Sequence, residues 1–360
     1  MDASPHPLRN ALAVSLFMAA LGSQSTMGEL PPPTLERDGV RCWHDVAYGP
    51  RDDLPDEGEG YTGNNGGWSS ESIPWKFHRH RSGQYLDVYA PTGEIRPDAT
   101  VVLFLHGGSW SECYDKDGPR HELFKALVDA GAIACTADYI LQTDRFRNWF
   151  APSRKEATFA EMLRDIDAAV TKIGEFAREL GVVSPRLVIS GESAGGHLAL
   201  LYAYEQGNPE RIGLALSHTI PVAKVVGIVA PTDFTSREFQ EIGSVPVLGF
   251  KVGGGVLKTL MNRLAGLPDN ATRKENRDAA GKWSPIKLVC ANSVSTALAY
   301  GAIGEDETTD GVVPVSQTTS LEAALKAAGV PCATRKFSGT GHGDVAWKGA
   351  AWIAEQALTP

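Results

Sequence analysis

The chain has 360 residues, 42% of them hydrophobic and 21% charged, which is the composition of a folded protein and not of a disordered one. A chain of this length buries roughly three-quarters of its unfolded surface, so its core needs no metal or disulfide staple, and five cysteines are too few for a disulfide scaffold. Thirty-four Lys and Arg against forty-three Asp and Glu leave a net charge of −9, which argues against a nucleic-acid binder that tracks phosphates with a basic face.

Taken in chain order, the first element is a leader. Arg9 precedes the apolar run 11–21 (ALAVSLFMAAL), and small and polar residues follow at 22–26. This is an export-signal pattern and predicts a secreted or periplasmic protein, or a cytoplasmic one if the segment is not a signal. At about 1.5 Å per residue the run cannot cross a ~30 Å hydrocarbon core, so no stable membrane span is expected. Residues 1–30 are assigned to this leader and its linker, and 31–84 to an N-terminal extension that opens on a stiff triple-proline spacer. Within that extension, 49–83 is rich in Gly, Asp, Glu and aromatics, with Trp68, Trp75, His78 and His80.

From residue 85 strand and helix patterns alternate. Strands are predicted at 85–90, 101–105, 132–139, 186–190, 225–230, 295–300 and 332–337. Helices are predicted at 122–130, 157–180, 194–205, 315–328 and 344–357. The 101–105 run is continuously apolar, as a strand buried on both faces must be. Helix 157–180 places Phe159, Met162, Leu163, Ile166, Ala169, Val170 and Ile173 on one broad face. Such alternation predicts an α/β domain over 85–360, with a mostly parallel sheet and helices on both faces. The segment 236–283 breaks the rhythm with three consecutive glycines at 253–255 and an apolar helix at 256–264. It is read as lid-like or as a surface elaboration.

Three motifs carry chemistry. Residues 189–197 (ISGESAGGH) place G-x-S-x-G between a predicted strand and a predicted helix, a turn tight enough to expose a nucleophilic Ser193 hydroxyl and to aim the Ala194 amide at a substrate. The helix N-terminus adds partial positive charge there. After the buried strand, His106-Gly107-Gly108-Ser109-Trp110 offers amides with no Cβ in the way, so Gly107, Gly108 and Ala194 are the expected oxyanion donors. His106 is expected to order that loop, and His197 to pack beneath the serine turn. After the last strand comes the glycine-flanked His342, the expected general base. A carboxylate to orient it is expected from the acidic loop 305–310. Asp310, followed by Gly-Val-Val-Pro, is the first choice, with Asp306 and then Glu305 behind it. The order Ser193, Asp310, His342 is that of nucleophile–acid–base hydrolases. His78 and His80 have no further ligands at useful spacing, so no metal site is expected.

With HGGSW and GESAGG together, the chain resembles the α/β-hydrolase superfamily, and within it the hormone-sensitive-lipase-like carboxylesterases and the feruloyl/acetyl-xylan esterase-like group. The resemblance covers roughly 85–358. Leu86-Asp-Val-Tyr-Ala-Pro91 fits it, and Asp310-Gly-Val-Val-Pro is similar to the family's D-x-x-V-P acid motif. The resemblance implies an α/β-hydrolase fold, a Ser-His-Asp triad passing through an acyl-enzyme, and no cofactor. The implied substrates are small-molecule or carbohydrate esters, including acetyl or feruloyl esters of plant polysaccharide. Pro231-Thr232-Asp233 resembles a family turn near the acyl pocket, so Ser109, Trp110, Glu192 and Asp233 are the pocket candidates. Trp68, Trp75 and Trp110 are candidates for stacking on substrate rings. The HGG-x-W pattern is shared with arylformamidases, which keeps an amide substrate open. A non-catalytic binding protein on the same fold is the alternative from another class.

Overall fold

A computed structural model describes residues 30–49, 84–110, 121–142, 157–240, 244–247, 250–253, 260–268 and 270–359. The leader pattern at 11–21, the aromatic-rich stretch from 50 to 83, and the glycines at 254 and 255 lie outside the described residues.

The sheet is built around β4 (Thr100–Leu105), whose residues 101–105 are all buried. β5 (Ile133–Ala137) lies on one side of it and β6 (Arg186–Glu192) on the other, both parallel to it. Beyond β6 come β7 (Val222–Ile228), β10 (Ser295–Ala302) and β11 (Cys332–Ser338), again parallel. Beyond β5 come β3 (Tyr85–Pro91), β2 (Val40–Ala47) and β1 (Leu35–Arg37), each antiparallel to its inner neighbour. The order is therefore β1-β2-β3-β5-β4-β6-β7-β10-β11. The chain steps from β4 outward to β5 and then returns to β6 on the opposite side of β4. This reversal opens a crevice at the C-terminal ends of β4 and β6, where ligands bind in sheets of this kind.

Alternation along the strands feeds two cores. Val102, Phe104, Val188, Val226 and Ile228 pack into one cluster with Leu123, Phe124 and Leu127 of α1 (His121–Asp129) and with Ile353, Ala354 and Ala357 of α6 (Ala350–Leu358). The alternate residues Val101, Leu103, Leu105, Leu187 and Ile189 point to the other face, covered by α2 (Phe159–Glu179) and α3 (Ala194–Gly207). The whole predicted apolar face of α2 is buried. Its start is set by a capping box, in which Thr158 Oγ1 accepts from Glu161 N and Glu161 Oε2 accepts from Thr158 N.

Three departures from the sequence expectations have local causes. The boundary at residue 84 is corrected, because β1 and β2 fall within the expected extension yet are strands of the main sheet. They are joined by a two-residue hairpin at Asp38-Gly39, both at positive φ (51° and 82°), as a type I′ turn requires. Helix α4 (Arg273–Lys282) lies in the lid-like segment where no helix was expected beyond residue 264, and it starts on a second capping box, Thr272 with Glu275. The rest of the 236–283 segment includes a two-stranded hairpin of β8 (Ser244–Val247) and β9 (Phe250–Gly253), and helical residues at 260–264. Finally, the single closing helix is two, Val345–Lys348 and α6, because the chain bends at Gly349, where a Cβ would lie 2.7 Å from the Val345 carbonyl oxygen.

Cys135, Cys290 and Cys332 are free thiols, and burial raises the pKa of Cys135 and lifts that of Cys332 to about 11. Among the described residues, no helix is long and apolar enough to cross a membrane, and no group of three His, Cys, Asp or Glu is placed to hold a metal ion.

The last helix is anchored from beneath the sheet. Lys224 of β7 donates to the Gln356 and Thr359 carbonyls at 3.0 and 3.1 Å, and Arg186 of β6 to the Thr359 carbonyl at 2.6 Å. Two cations thus meet the negative end of the helix dipole, where its last carbonyls have no intrahelical partner. Replacing Lys224 by Met should cost about 1.5–3 kcal/mol in urea unfolding, with an unchanged m-value.

Candidate active site

β4 and β6 are in register at Leu105 and Gly191, so the segments leaving them start side by side. β6 passes into α3 through Ser193, whose backbone is strained at φ 54° and ψ −119°, a cost on the order of 1–3 kcal/mol. The strain is held from both sides. Ser193 N donates to the Ile228 carbonyl at 2.8 Å, and the Ser193 carbonyl accepts from His197 N at 3.0 Å. Val229, just beyond β7, is itself at φ 45°, rare for a β-branched residue, and donates to the Ala299 carbonyl. Side chains are excluded at the glycines that flank the turn. A Cβ on Gly191 would lie 2.5 Å from the Gly195 backbone, and one on Gly195 would collide with the Leu105 and His106 carbonyl oxygens.

The HGG segment lies against this turn. A Cβ on Gly107 would sit 3.3 Å from both the Glu192 carbonyl oxygen and Ser193 Cβ. Gly108, Ser109 and Trp110 follow at φ 106°, 51° and 60°, so the chain makes a left-handed excursion immediately past the nucleophile candidate. His106 orders the loop, with Nδ1 2.8 Å from the Gly107 carbonyl and its ring stacked 4.4 Å from Tyr139, whose hydroxyl donates to the His106 carbonyl.

Parallel pairing of β10 and β11 brings the acid and base loops together. Asp310 Oδ2 is 2.8 Å from His342 Nδ1, and the His342 backbone N–H donates to the Asp310 carbonyl at 2.9 Å. The other carboxylate oxygen, Oδ1, accepts from Val312 N and Val313 N at 2.9 and 2.7 Å, so the buried acid is fully engaged. A carboxylate can only accept from Nδ1, which leaves Nε2 of the neutral ring as a lone pair, the state a general base needs. Of the three carboxylates considered, Asp310 is the one bonded to His342. Asp306 and Glu305 are exposed, and Asp306 accepts from the Thr308 hydroxyl. Gly301 sits where the loops cross and leaves no room for a side chain: a Cβ there would lie 2.3 Å from the Thr340 carbonyl oxygen and 3.2 Å from Asp310 Cβ.

The pocket candidates divide. Glu192 is buried and contributes the carbonyl that packs on Gly107. Asp233 stabilises its own turn, accepting from Thr235 N at 2.8 Å. Trp110 is buried, its ring edge-on to Phe159 and Phe234, which removes it as an exposed stacking platform. Trp68 and Trp75 lie outside the described residues. Two side chains had not been singled out. Gln317 of α5 (Val315–Ala327), completely buried, accepts from Thr232 N and Asp233 N at 2.8 and 2.7 Å, and donates to the Ser236 hydroxyl, pinning the 232–236 turn to the helix that follows the acid loop. Trp283, at the end of α4, offers its carbonyl to His197 Nε2 at 2.8 Å.

His197 does pack beneath the serine turn, and its environment keeps it neutral. Burial pushes its pKa down to about 3, against the smaller opposing pull of the Trp283 carbonyl. An unfolded histidine takes up a proton near pH 6.5 and the folded one does not until about pH 3, so its contribution to stability is lost as pH falls between those values. Urea midpoints at pH 7, 5 and 4 should therefore fall more steeply for the wild type than for His197→Asn, by about 1 kcal/mol per pH unit below 6.

The chain and its fold have relatives. The Mycobacterium tuberculosis carboxylesterase NlhH is 29% identical over 168 residues, 45% of this chain and 44% of that protein, so the chain spans less than half of that relative. A truncated carbohydrate esterase from gut microbiota superposes with a TM-score of 0.57 at 18% identity, covering 91% of this chain and all of the other. An inhibited esterase B from Lactobacillus rhamnosis superposes with a TM-score of 0.59 at 14% identity, covering 97% and 93%. At these identities the likeness is one of fold, and the fold is the expected α/β-hydrolase one. The BD-FAE family model matches residues 86–325, two-thirds of the chain and six of the nine strands of the sheet, and the protein belongs to that family.

Proposed function

We propose that the protein is a serine carboxylesterase acting on short-acyl carboxylic esters, with Ser193 as nucleophile, His342 as base and Asp310 as the acid that orients it. The observation that carries this reading is the strained Ser193 backbone with Gly107 packed on it at 3.3 Å. A structural serine has no need of a left-handed turn flanked by glycines that tolerate no Cβ.

The chemistry follows from the arrangement. His342 Nε2 takes the Ser193 proton as Oγ attacks the ester carbonyl. The oxyanion of the tetrahedral adduct is met by the amides of Gly107, Gly108 and Ala194, the last at the positive end of α3. Collapse breaks the ester C–O bond, and the imidazolium returns the proton to the departing alcohol. Water, deprotonated by His342, then attacks the acyl-enzyme, and a second collapse frees the carboxylic acid and restores Ser193. Asp310 holds the Nδ1–H tautomer and stabilises the imidazolium in both halves.

Membership of the BD-FAE family and the fold shared with a carbohydrate esterase support acetyl or feruloyl esters of plant polysaccharide as substrates. The 11–21 leader pattern supports export to the periplasm or the medium. The intact mass of the protein recovered from the periplasm or medium of its own cells should then be lower than that of the full chain by a leader that ends within residues 22–30.

Short-chain p-nitrophenyl esters test the chemistry. The wild type should hydrolyse them and be inactivated by serine-directed phosphonates, Ser193→Ala should be inert, and Asp310→Asn should lose about 10⁴-fold in kcat. Asp306→Asn should behave as wild type. An inert wild type that resists phosphonates sinks the esterase reading, and turnover of N-formylkynurenine in preference to acetyl-xylan or methyl ferulate favours the amide alternative.

A further inference from the structure

His197 stands at the meeting point of three segments that the catalytic chemistry leaves unexplained. It belongs to α3, four residues after Ser193. Its Nδ1 lies 3.3 Å from the Trp110 indole nitrogen and its Nε2 lies 2.8 Å from the Trp283 carbonyl. An indole N–H can only donate and a carbonyl can only accept, so the ring is held as the Nε2–H tautomer with its Nδ1 lone pair on Trp110. The imidazole is boxed by rings, with centroids of Phe234, Phe159 and Trp110 at 4.8, 5.0 and 5.2 Å. A proton on Nδ1 would set two N–H donors against each other.

Trp110 is the far end of the left-handed excursion that begins at Gly108. Two successive non-glycine residues at positive φ do not persist unless their surroundings impose them. Among the described residues, the hydrogen bonds that anchor this end are the Trp110 carbonyl, accepting from Gln142 N at 2.9 Å, and the indole N–H on His197. Of these two hydrogen bonds the second runs to the helix that carries Ser193, and it adds a directional tie to the backbone packing of Gly107 and Gly195.

We infer that His197 is a positioning residue of the esterase site: its neutral imidazole fixes Trp110, and through it the Gly107–Gly108 amides, relative to Ser193. The inference rests on the esterase reading, because it assigns those amides to the oxyanion. The bond to Trp283 is the minor half, a tie to the end of α4 that steadies the ring without touching the loop.

Two substitutions separate the halves. Asn carries its carbonyl oxygen close to the position of Nδ1, so His197→Asn keeps an acceptor for Trp110 and gives up Trp283. Gln carries its amide nitrogen close to Nε2, so His197→Gln keeps Trp283 and gives up Trp110. Each removes one buried hydrogen bond, so both should lower Tm by similar amounts. For p-nitrophenyl acetate, His197→Gln should lose about 10- to 100-fold in kcat with KM within about twofold, the signature of a misaligned oxyanion donor. His197→Asn should recover most of that loss, and its Trp110 indole N–H resonance should stay near the wild-type position while that of His197→Gln moves. Equal kcat losses in the two variants, or losses carried by KM, overturn the inference and leave His197 a packing residue. A wild type inert towards the ester overturns the esterase reading itself, and the inference with it.

Discussion

Everything at the site depends on a crossing with no clearance. The start of α3 passes directly beneath the carbonyls that end β4, so closely that a methyl group on Gly195 would strike both the Leu105 and His106 oxygens. The crossing occurs where the strand order reverses, with β4 flanked by β5 and β6, and it is what sets the HGG amides beside Ser193. Glycines at 191, 195 and 196 are therefore a packing requirement. Each replaces side-chain volume with the closeness of two backbones, and the strain of the turn is the consequence.

That strain must be held by the rest of the domain. Ser109, Trp110, Ser193 and Val229 all sit at positive φ within the segments that leave β4, β6 and β7. Backbone bonds from Ser193 to Ile228 and from Val229 to Ala299 lock two of them to neighbouring strands. The aromatic cluster of Trp110, Phe159, Phe234 and Trp283 closes over His197, and Gln317 satisfies three polar groups of the 232–236 turn at once. Both ring nitrogens of His197 and the Thr232 and Asp233 amides are matched, which gives the turn a single geometry in place of several of similar energy. On the far side of the sheet axis, Asp310 is held by two backbone amides, so the acid has little freedom to turn away from His342.

Much of this was legible in one dimension because the signals are local. Continuous apolarity at 101–105 and helical spacing from 159 to 173 need no partner to be recognised, and the structure has a buried strand and a buried helix face there. Other local signals were present and not taken. Asp38-Gly39 between β-rich runs is the mark of a two-residue hairpin, and Thr272 with Glu275 is a capping box. Helix α4 was missed for a physical reason, as it buries no residue and so shows no apolar stripe. Gln317 could not have been found: nothing in a glutamine three residues after a proline announces that its amide will bridge a turn eighty residues earlier.

By itself the sequence determined the alternation of the main strands and helices from residue 85 onward, the glycine-lined turn at Ser193, the HGG run after a buried strand, and a histidine after the last strand. All are consequences of short-range sterics and hydrophobic periodicity, which act between residues close in the chain. The tertiary structure decided which of three neighbouring carboxylates meets His342, because that depends on how the 303–314 loop crosses Gly301 and buries one side chain while leaving two in water. It decided that β1 and β2 complete the sheet, that Trp110 turns inward, and that His197 joins Trp110 to Trp283. Each of these is a contact between segments tens to hundreds of residues apart, and only the closed fold brings such segments within hydrogen-bond range.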